Sequence, residues 1–378
     1  MGEKVDSICM ECNRLKNQPD TAALISMECN RLTNKPDAEA LISMECNLLT
    51  NQPDAAALAR YGALLRCLYG IKASELVEVR GGWSARAFLV KAAGDGEGGA
   101  RFFLKAYDNT RSSVIPWIAR IDNYIHVLAW LSQTPTLSGR VASPVAADGG
   151  GYKARLGDEV LLVFDYVEGI TPGYGQLSGA QKCELAGILA ILHGFGVELP
   201  VDTRGLKEDI SLWFCQALRA YLEGEPGDEP GLYMRRHKAT LLTIIDKTTR
   251  LRGKARAGAV ALSPCHTDAH GGNVIQGERL VLVDWEGLCL APAEADLFMF
   301  AGDDDWPAVL DAYRAARSGY ALNRDLLMFY RCRRIVEDIW FDILCLRGDD
   351  PDEAQRRQVY SYIEGNMETA RRLMDYMD

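Results

Sequence analysis

The sequence predicts a two-lobed α+β protein, in which a five-stranded antiparallel sheet with one helix precedes a larger, mainly helical lobe. Short β-rich segments separated by Gly-containing turns indicate the sheet. Periodic apolar runs beyond Gly169 indicate the helical lobe, which one compact β-turn-β segment at residues 265–285 interrupts. A helical extension made of repeats is expected in front of both lobes.

The extension contains three copies of a 17-residue unit, at residues 10–26, 27–43 and 44–60. Each copy has an Asn, a Pro-Asp pair and an Ala/Leu-rich run, which predicts short helices joined by tight turns. The unit is too small to form a stable repeat array alone, so these helices are expected to pack on the following domain or on each other. A plain duplicated extension and a partner-binding arm both fit this pattern.

The elements of the first lobe follow in order. A helix is expected from Pro53 to Tyr69, with Gly70 as its C-cap. The expected strands and the expected helix between them lie at residues 75–80, 86–91, 101–107, 113–132 (the helix), 152–156 and 159–166.

The second lobe is expected to contain helices at residues 178–194, 207–223 and 232–252, a loop at 224–231, and a final helical part at 306–376. The predicted domains are therefore the extension at 1–53, a nucleotide-binding lobe at 54–168 and a helical lobe at 169–378 that holds the catalytic loop and the acceptor site.

Composition narrows the class of function. With 48% hydrophobic and 25% charged residues the chain has an ordinary globular composition, and its net charge of -10 argues against a nucleic-acid partner. The 11 cysteines are scattered, which favours reduced thiols in a cytoplasmic protein. No signal peptide and no membrane-spanning run of about 20 apolar residues is recognised, so no membrane partner is expected.

The stretch at residues 266–287, HTDAHGGNVIQGERLVLVDWEG, is the most informative. It places Asp268 five residues before Asn273, and Asp284 at the end of an apolar strand. Phosphoryl transfer needs a carboxylate to orient and deprotonate the attacking hydroxyl, and hard oxygen ligands for Mg²⁺. Asp268 fits the first role, while Asn273 and Asp284 fit the second. His266 is expected to support the loop, and His270 to pack in it.

HTDAHGGN together with VLVDW resembles the aminoglycoside phosphotransferase and choline kinase family, which has a protein-kinase-like fold; the similarity covers about residues 54–378. The resemblance implies ATP or GTP as phosphate donor, Mg²⁺ as cofactor, Asp268 as base, and Asn273 and Asp284 as metal ligands. It further implies that Lys105 in FFLKAY binds the nucleotide phosphates.

The resemblance also assigns residues around the nucleotide. The acidic helix residue that orients the lysine matches Asp122, although relatives usually have Glu there. The loop over the phosphates would contain Gly81, Gly82 and Ser84, although the full G-x-G-x-x-G is missing. Backbone groups near Asp165 and Val167 would meet the adenine.

The sequence says less about the acceptor than about the nucleotide and the metal ligands. Only nine residues separate Asp284 from Glu294, too few for the activation segment with which protein kinases hold a peptide, so a small-molecule acceptor is expected. The resemblance also implies that Asp296 supports the catalytic loop. Acidic and aromatic residues late in the chain could line a pocket for a cationic acceptor, although most of them are expected to be solvated or core residues: Asp303, Asp304, Asp305, Trp306, Glu337, Asp338, Trp340 and Asp342.

The leading hypothesis is a kinase for an aminoglycoside or aminocyclitol antibiotic. A metabolic kinase for choline, homoserine, a sugar or another hydroxylated amine is the first alternative. A catalytically inactive, kinase-like binding or regulatory protein is the second, although the intact set of Lys105, Asp268, Asn273 and Asp284 argues against it. The oligomeric state is left open by the sequence.

Overall fold

The computed structural model describes residues 54–79, 84–94, 99–111, 114–173, 176–257, 260–348 and 351–374, which belong to one compact unit. The extension predicted at residues 1–53 lies outside the described residues, as do Gly81 and Gly82. Among the helices that are described, none has the length and the apolar character needed to cross a membrane.

The first described element is helix α1, Ala55–Tyr69, as the sequence predicts. It begins where the Asp54 side chain accepts a hydrogen bond from the backbone N–H of Ala57 at 2.8 Å, a typical N-cap. It ends at Gly70, whose φ of 65° is the left-handed conformation that favours glycine at this position.

A five-stranded antiparallel sheet follows, with the order β1-β2-β3-β5-β4. This confirms the prediction of five antiparallel strands with one helix, because α2, Ile115–Gln133, is inserted between β3 and β4. The strand bounds are β1 Ala73–Val79, β2 Arg86–Ala92, β3 Arg101–Asp108, β4 Lys153–Leu156 and β5 Glu159–Asp165.

Side chains along β3 alternate between the two faces of the sheet, and this alternation determines the face on which Lys105 lies. Leu104 and Ala106 are buried in the hydrophobic cluster that includes α1, whereas Tyr107 belongs to the cluster on the α2 side. Side chains two residues apart on a strand share a face. Lys105 therefore faces the α2 side of the sheet, together with Tyr107.

The second lobe is mainly helical, as predicted. Its helices are α3 Gly179–Gly194, α4 Trp213–Glu223, α5 Glu229–Met234, α6 Lys238–Ala257, α7 Glu294–Leu297, α8 Trp306–Ala316, α9 Arg324–Gly348 and α10 Glu353–Met374. The long helix α9 is the centre of this lobe, since its buried residues share a hydrophobic cluster with those of α4, α6 and α10.

Two helix predictions are wrong in their bounds. The helix expected from residue 207 begins only at Trp213, because Leu212 has a left-handed φ of 58° and the Asp209 side chain holds the backbone N–H of Ser211 at 2.8 Å in a turn. The helix expected at 232–252 is divided into α5 and α6, and α5 begins inside the predicted loop because Asp228 caps it.

Four short strands form the predicted β-turn-β region. β6, Ser263–Cys265, pairs with β9, Cys289–Ala291, and β7, Val274–Gln276, forms a hairpin with β8, Leu280–Leu282. The turn after β7 lies at the far end of this hairpin. The loops after β6 and β8 meet at its other end, where Val274 pairs with Leu282. All three predicted motif residues lie in or beside these loops.

Candidate active site

The β7–β8 hairpin brings the predicted base and metal ligands to one place. Val274 pairs with Leu282, and the backbone N–H of Val283 donates to Asn273 O at 2.8 Å, so Asn273 and Asp284 flank the open end of the hairpin. The Asn273 amide nitrogen donates to the Asp268 carboxylate (Oδ2) and to the Asp268 carbonyl, each at 2.9 Å. The spacing predicted from the sequence therefore produces one contiguous group of side chains.

Asp296 anchors the loop that carries Asp268. Its side chain is fully buried and accepts hydrogen bonds from the backbone N–H groups of His266, at 2.9 Å, and of Thr267. Thr267 has a φ of 67°, a costly conformation for a residue other than glycine that must be held by its surroundings. The Asp296 carboxylate supplies this support, in agreement with the loop-supporting role expected for it.

A buried group next to this anchor has the composition of a metal site: His193, Cys265 and Asp296 are fully buried with their potential donor atoms within 4.8 Å. Its polar atoms already have protein partners. The His193 ring contacts Asp296 and the hydroxyl of Tyr313, each at 2.8 Å, and the Cys265 thiol donates to Ala291 O at 3.3 Å. We therefore regard this group as part of the loop's structural support.

His266 has a structural position, as expected from the sequence. Burial lowers the pKa of His266, so the ring is neutral. It donates through Nε2 to Val283 O at 2.9 Å, and its Nδ1 accepts from the Asp268 backbone N–H at 3.3 Å.

Gly287 allows the chain after Asp284 to approach Thr267 closely. A Cβ at this position would lie 2.4 Å from Thr267 Oγ1, so only glycine fits here. The chain after Asp284 is thereby packed directly on the Asp268 loop.

Lys105 meets the hairpin across the space between the two lobes. Its Nζ donates to Asp284 Oδ1 at 2.6 Å and to Glu286 Oε1 at 2.8 Å. Burial by itself lowers the pKa of Lys105, but the Asp284 and Glu286 carboxylates outweigh burial and raise it above its ordinary value. Lys105 is therefore a fixed positive charge beside the predicted metal ligands.

Glu286 is a site residue that the sequence analysis missed. Its side chain is only 9% exposed, and it accepts hydrogen bonds from Lys105, from Tyr107 Oη at 2.5 Å and from Ser84 Oγ at 3.0 Å. The carboxylate thus joins the predicted nucleotide-covering segment, the β3 lysine and the hairpin. Its position two residues after Asp284 is a signal that could have identified it.

The structure does not place Asp122 beside Lys105, so the predicted pairing of these two residues is wrong. The Asp122 carboxylate pairs with Lys153 and is 66% exposed. On α2 the buried stripe runs through Ile121, Ile125 and Leu128, so a residue directly after Ile121 lies on a different face. The acidic partner of Lys105 comes from the hairpin instead of the helix.

The segment expected to meet adenine follows the sheet. Asp165 is exposed at the end of β5, and its backbone N–H already donates to Ser143 O at 2.9 Å. The backbone N–H of Tyr166 donates to Arg101 O at 3.3 Å. Of the two predicted positions, Val167, which lies beyond these bonds and is partly buried, is the better placed to offer backbone groups to a base.

The donor set fits a divalent cation. Since the Asn273 amide nitrogen donates to Asp268, its amide oxygen is directed away from that carboxylate. Asp284 is 39% exposed and, together with Glu286, gives two carboxylates against the single ammonium of Lys105. Amide and carboxylate oxygens are the ligands that Mg²⁺ prefers, so Asn273 and Asp284, with Glu286 beside them, could hold such an ion.

Helix α9 presents charged residues to Asp268. Arg334 lies 2.8 Å from Asp268 Oδ1 and 2.8 Å from Asp338 Oδ2, and Asp342 follows one turn further along the helix. Burial raises the pKa of Asp338 to about 6 and that of Asp342 to about 8.

Other residues predicted for the acceptor pocket have structural roles. Trp340 is a core residue, and Asp303 and Asp305 pair with Lys182.

Replacing Asp342 with Asn should change the pH dependence of stability. The folded-state pKa of about 8 lies above the ordinary value of 3.8, so the folded chain keeps a proton that the unfolded chain releases, and stability falls as pH rises through this interval. Asn cannot ionise. We expect the D342N variant to be more stable than the parent above pH 8 by about 1–3 kcal/mol, with a gain that shrinks towards pH 4, measured by thermal denaturation.

Asp246→Asn is the matched control, because Asp246 is 72% exposed in a surface pair with Arg219. It should leave the pH profile unchanged. If D342N is more stable than the parent by the same amount at pH 5 and at pH 8.5, ionisation of Asp342 is not the cause of the added stability.

Comparison with known proteins shows the family to which the chain belongs. The model of the phosphotransferase enzyme family matches residues 75–327, more than half of the chain. No curated protein sequence matches the chain significantly.

Several solved structures share the fold. Spectinomycin phosphotransferase APH(9)-Ia, in complex with ADP and spectinomycin, aligns with a TM-score of 0.64 at 21% identity, covering 82% of this chain and 97% of that one. A microcompartment-associated aminopropanol kinase aligns with a TM-score of 0.55 at 16% identity, covering 85% and 98%. Macrolide 2'-phosphotransferase type I aligns with a TM-score of 0.51 at 17% identity, covering 84% and 97%.

The family match extends from β1 into α9 and so contains Lys105, the whole β6–β9 region and Asp296. The fold of the described residues is the kinase-like fold of these phosphotransferases. The chain belongs to the phosphotransferase enzyme family and is a small-molecule phosphotransferase.

Proposed function

We propose that the chain transfers the γ-phosphate of ATP or GTP to a hydroxyl of a small, cationic acceptor, most specifically an aminocyclitol or aminoglycoside antibiotic. The observation that carries the proposal is the contact between Lys105 Nζ and Asp284 Oδ1 at 2.6 Å, beside Asn273 and Asp268. This contact supports the proposal, because it brings the Lys105 ammonium to the side chains that we assign as metal ligands and base.

Each residue has a role that follows from its position. Asp268 accepts the proton of the acceptor hydroxyl and orients it for attack. Lys105 neutralises charge on the phosphates of the donor, and Glu286 keeps its ammonium in place through the contacts described above. Asn273 and Asp284 hold Mg²⁺, which when bound neutralises charge that develops on the β- and γ-phosphate oxygens.

The acidic face of α9 supports a cationic acceptor. Near Asp268, the cation Arg334 stands beside two carboxylates, Asp338 and Asp342, both with raised pKa values. An ammonium group of an acceptor would stabilise the ionised forms of Asp338 and Asp342, which burial disfavours. The aminocyclitol is suggested by one structural neighbour, spectinomycin phosphotransferase, which was solved with ADP and spectinomycin.

The second candidate is a metabolic kinase for a smaller hydroxylated amine. It is favoured by the similarity to the aminopropanol kinase, which covers 85% of this chain and 98% of that one. Both candidate functions transfer phosphate to a hydroxyl of a molecule that also carries an amine. They differ in the size of that molecule.

A coupled phosphotransfer assay tests the proposal. The protein, with Mg²⁺ and either ATP or GTP, is offered spectinomycin, a panel of aminoglycosides, 1-amino-2-propanol, choline, homoserine and pentoses. Turnover that depends on an aminocyclitol or aminoglycoside is the expected result. Turnover with only the small amines would establish the second candidate, and turnover with none of the panel would remove both.

A further inference from the structure

Arg334 contacts the proposed base from a different part of the fold. It lies on α9, outside every motif that the sequence analysis used, and its Nη2 is 2.8 Å from Asp268 Oδ1. Arg334 and Asp268 are each 30% exposed, so the pair lies at the surface of the cleft and not in the core. An arginine remains charged at any ordinary pH and cannot take a proton from an acceptor. Its contribution must therefore be positional or electrostatic.

The two oxygens of Asp268 have different surroundings. Oδ2 accepts from the Asn273 amide, whereas Oδ1 has the ion pair with Arg334 and lies 3.4 Å from His270 Nε2. The Arg334 contact is not aligned as a hydrogen bond, and among the described residues no side chain or backbone group gives Oδ1 a well-aligned one. Oδ1 is itself buried and is held by charge, so the exposed part of the Asp268 side chain does not include it. Oδ2 keeps a lone pair for a hydroxyl donor beside its bond from Asn273.

Arg334 is itself held in place. Its Nε donates to Asp338 Oδ2 at 2.8 Å, one helical turn along α9. The neighbouring residues Ile335, Val336 and Ile339 are at most 2% exposed, so this part of the helix is fixed in the hydrophobic cluster. The core of the helical lobe therefore determines the position of the guanidinium group.

We propose that Arg334 is a positioning residue, which holds Oδ1 of the Asp268 carboxylate while Asn273 contacts Oδ2, so that Oδ2 faces the acceptor hydroxyl. Asp338 in turn fixes the Arg334 guanidinium. This inference rests on the proposed function, because it assigns to Asp268 the role of base.

The test compares R334A, R334K and R334Q with R347A. Arg347 lies on the same helix, is 47% exposed and pairs with Asp228 at 2.8 Å, which makes it the matched control. Steady-state phosphotransfer is measured with the acceptor found in the panel, the binding of Mg·ATP is measured by thermal shift, and 10–50 mM guanidinium chloride is added in a rescue arm. Because misplacement of a catalytic group costs on the order of 100-fold, R334A should lose about that much in kcat with an unchanged KM for ATP.

Three further results are expected. R334K keeps part of the activity, added guanidinium restores part of the R334A activity, and R347A stays within twofold of the parent. D338N should lower kcat less than R334A, and the R334A/D338N double variant should be no slower than R334A, because the two residues act as a unit.

The proposal is overturned if folded R334A or R334Q keeps kcat within threefold of the parent, or is faster. It is also overturned if guanidinium gives no rescue, or if R347A loses as much activity. If the parent protein phosphorylates no acceptor in the panel, the proposed function is wrong, and this result does not by itself test Arg334. The same variants are then compared in acceptor-independent ATP hydrolysis, where an R334A rate equal to that of the parent also removes the role of Arg334.

Discussion

Replacing Asp268 with Asn should remove phosphotransfer while leaving the fold and nucleotide binding intact. Asn keeps the shape of the side chain and can still meet Asn273 and Arg334, but it cannot accept a proton from the acceptor. Loss of a general base typically costs about 10²–10⁴-fold. We expect a kcat reduced by this factor in the coupled assay, with the thermal shift caused by Mg·ATP preserved.

The D246N variant is the control for the loss of one carboxylate, since Asp246 lies in an exposed surface pair on α6. It should have the kcat of the parent. A D268N variant that retains more than a tenth of the parent kcat would mean that another group is the base, and Asp268 would lose its assigned role.

Replacing Asp284 with Ala should abolish the dependence of activity on magnesium. The change removes a carboxylate proposed to bind the ion. Among the described residues it leaves Glu286 as the remaining ion-pair partner of Lys105. Metal ions supply several kcal/mol of charge stabilisation in phosphoryl transfer, so turnover should fall on the order of 10³-fold. The measurement is turnover as a function of Mg²⁺ concentration, with chelation of the metal in the parent protein as reference.

Asp202→Ala is the comparison for this variant, because Asp202 is an exposed residue paired with Arg204. Its Mg²⁺ titration should match that of the parent. The assignment of Asp284 fails if the D284A variant reaches normal turnover at the same Mg²⁺ concentration as the parent.

The parts of the site that local sequence determines were predicted well. Only a short hairpin separates Asn273 from Asp284, so their proximity is a consequence of the β7–β8 register. Asp268 lies five residues before Asn273 and contacts it directly. The strand pattern around Lys105 also predicted its place in the third strand. Local periodicity and turn residues contain enough information for these elements.

The error at Asp122 has a physical explanation. The prediction followed a position in a family pattern and did not follow the apolar stripe of α2, which includes Ile121, Ile125 and Leu128. That stripe excludes Asp122 from the inner face, and the structure pairs it with Lys153. Helix periodicity, applied to this one residue, would have corrected the prediction.

Glu286 and Arg334 differ in what the sequence could reveal. Glu286 follows Asp284 by two residues, so proximity alone makes it a candidate. Arg334 is 66 positions beyond Asp268 in the chain, and only the packing of α9 against the catalytic region brings the two together. A contact of this kind depends on the complete fold, and no local pattern of α9 predicts it.

A crystal structure with Mn²⁺ and a non-hydrolysable ATP analogue tests the central claim most directly. The account predicts an anomalous peak at about 2.1–2.3 Å from the side-chain oxygens of Asn273 and Asp284, with Lys105 against the phosphates and Asp268 on the acceptor side of the γ-phosphate. A metal bound away from Asn273 and Asp284, or phosphates out of reach of Lys105, would contradict it.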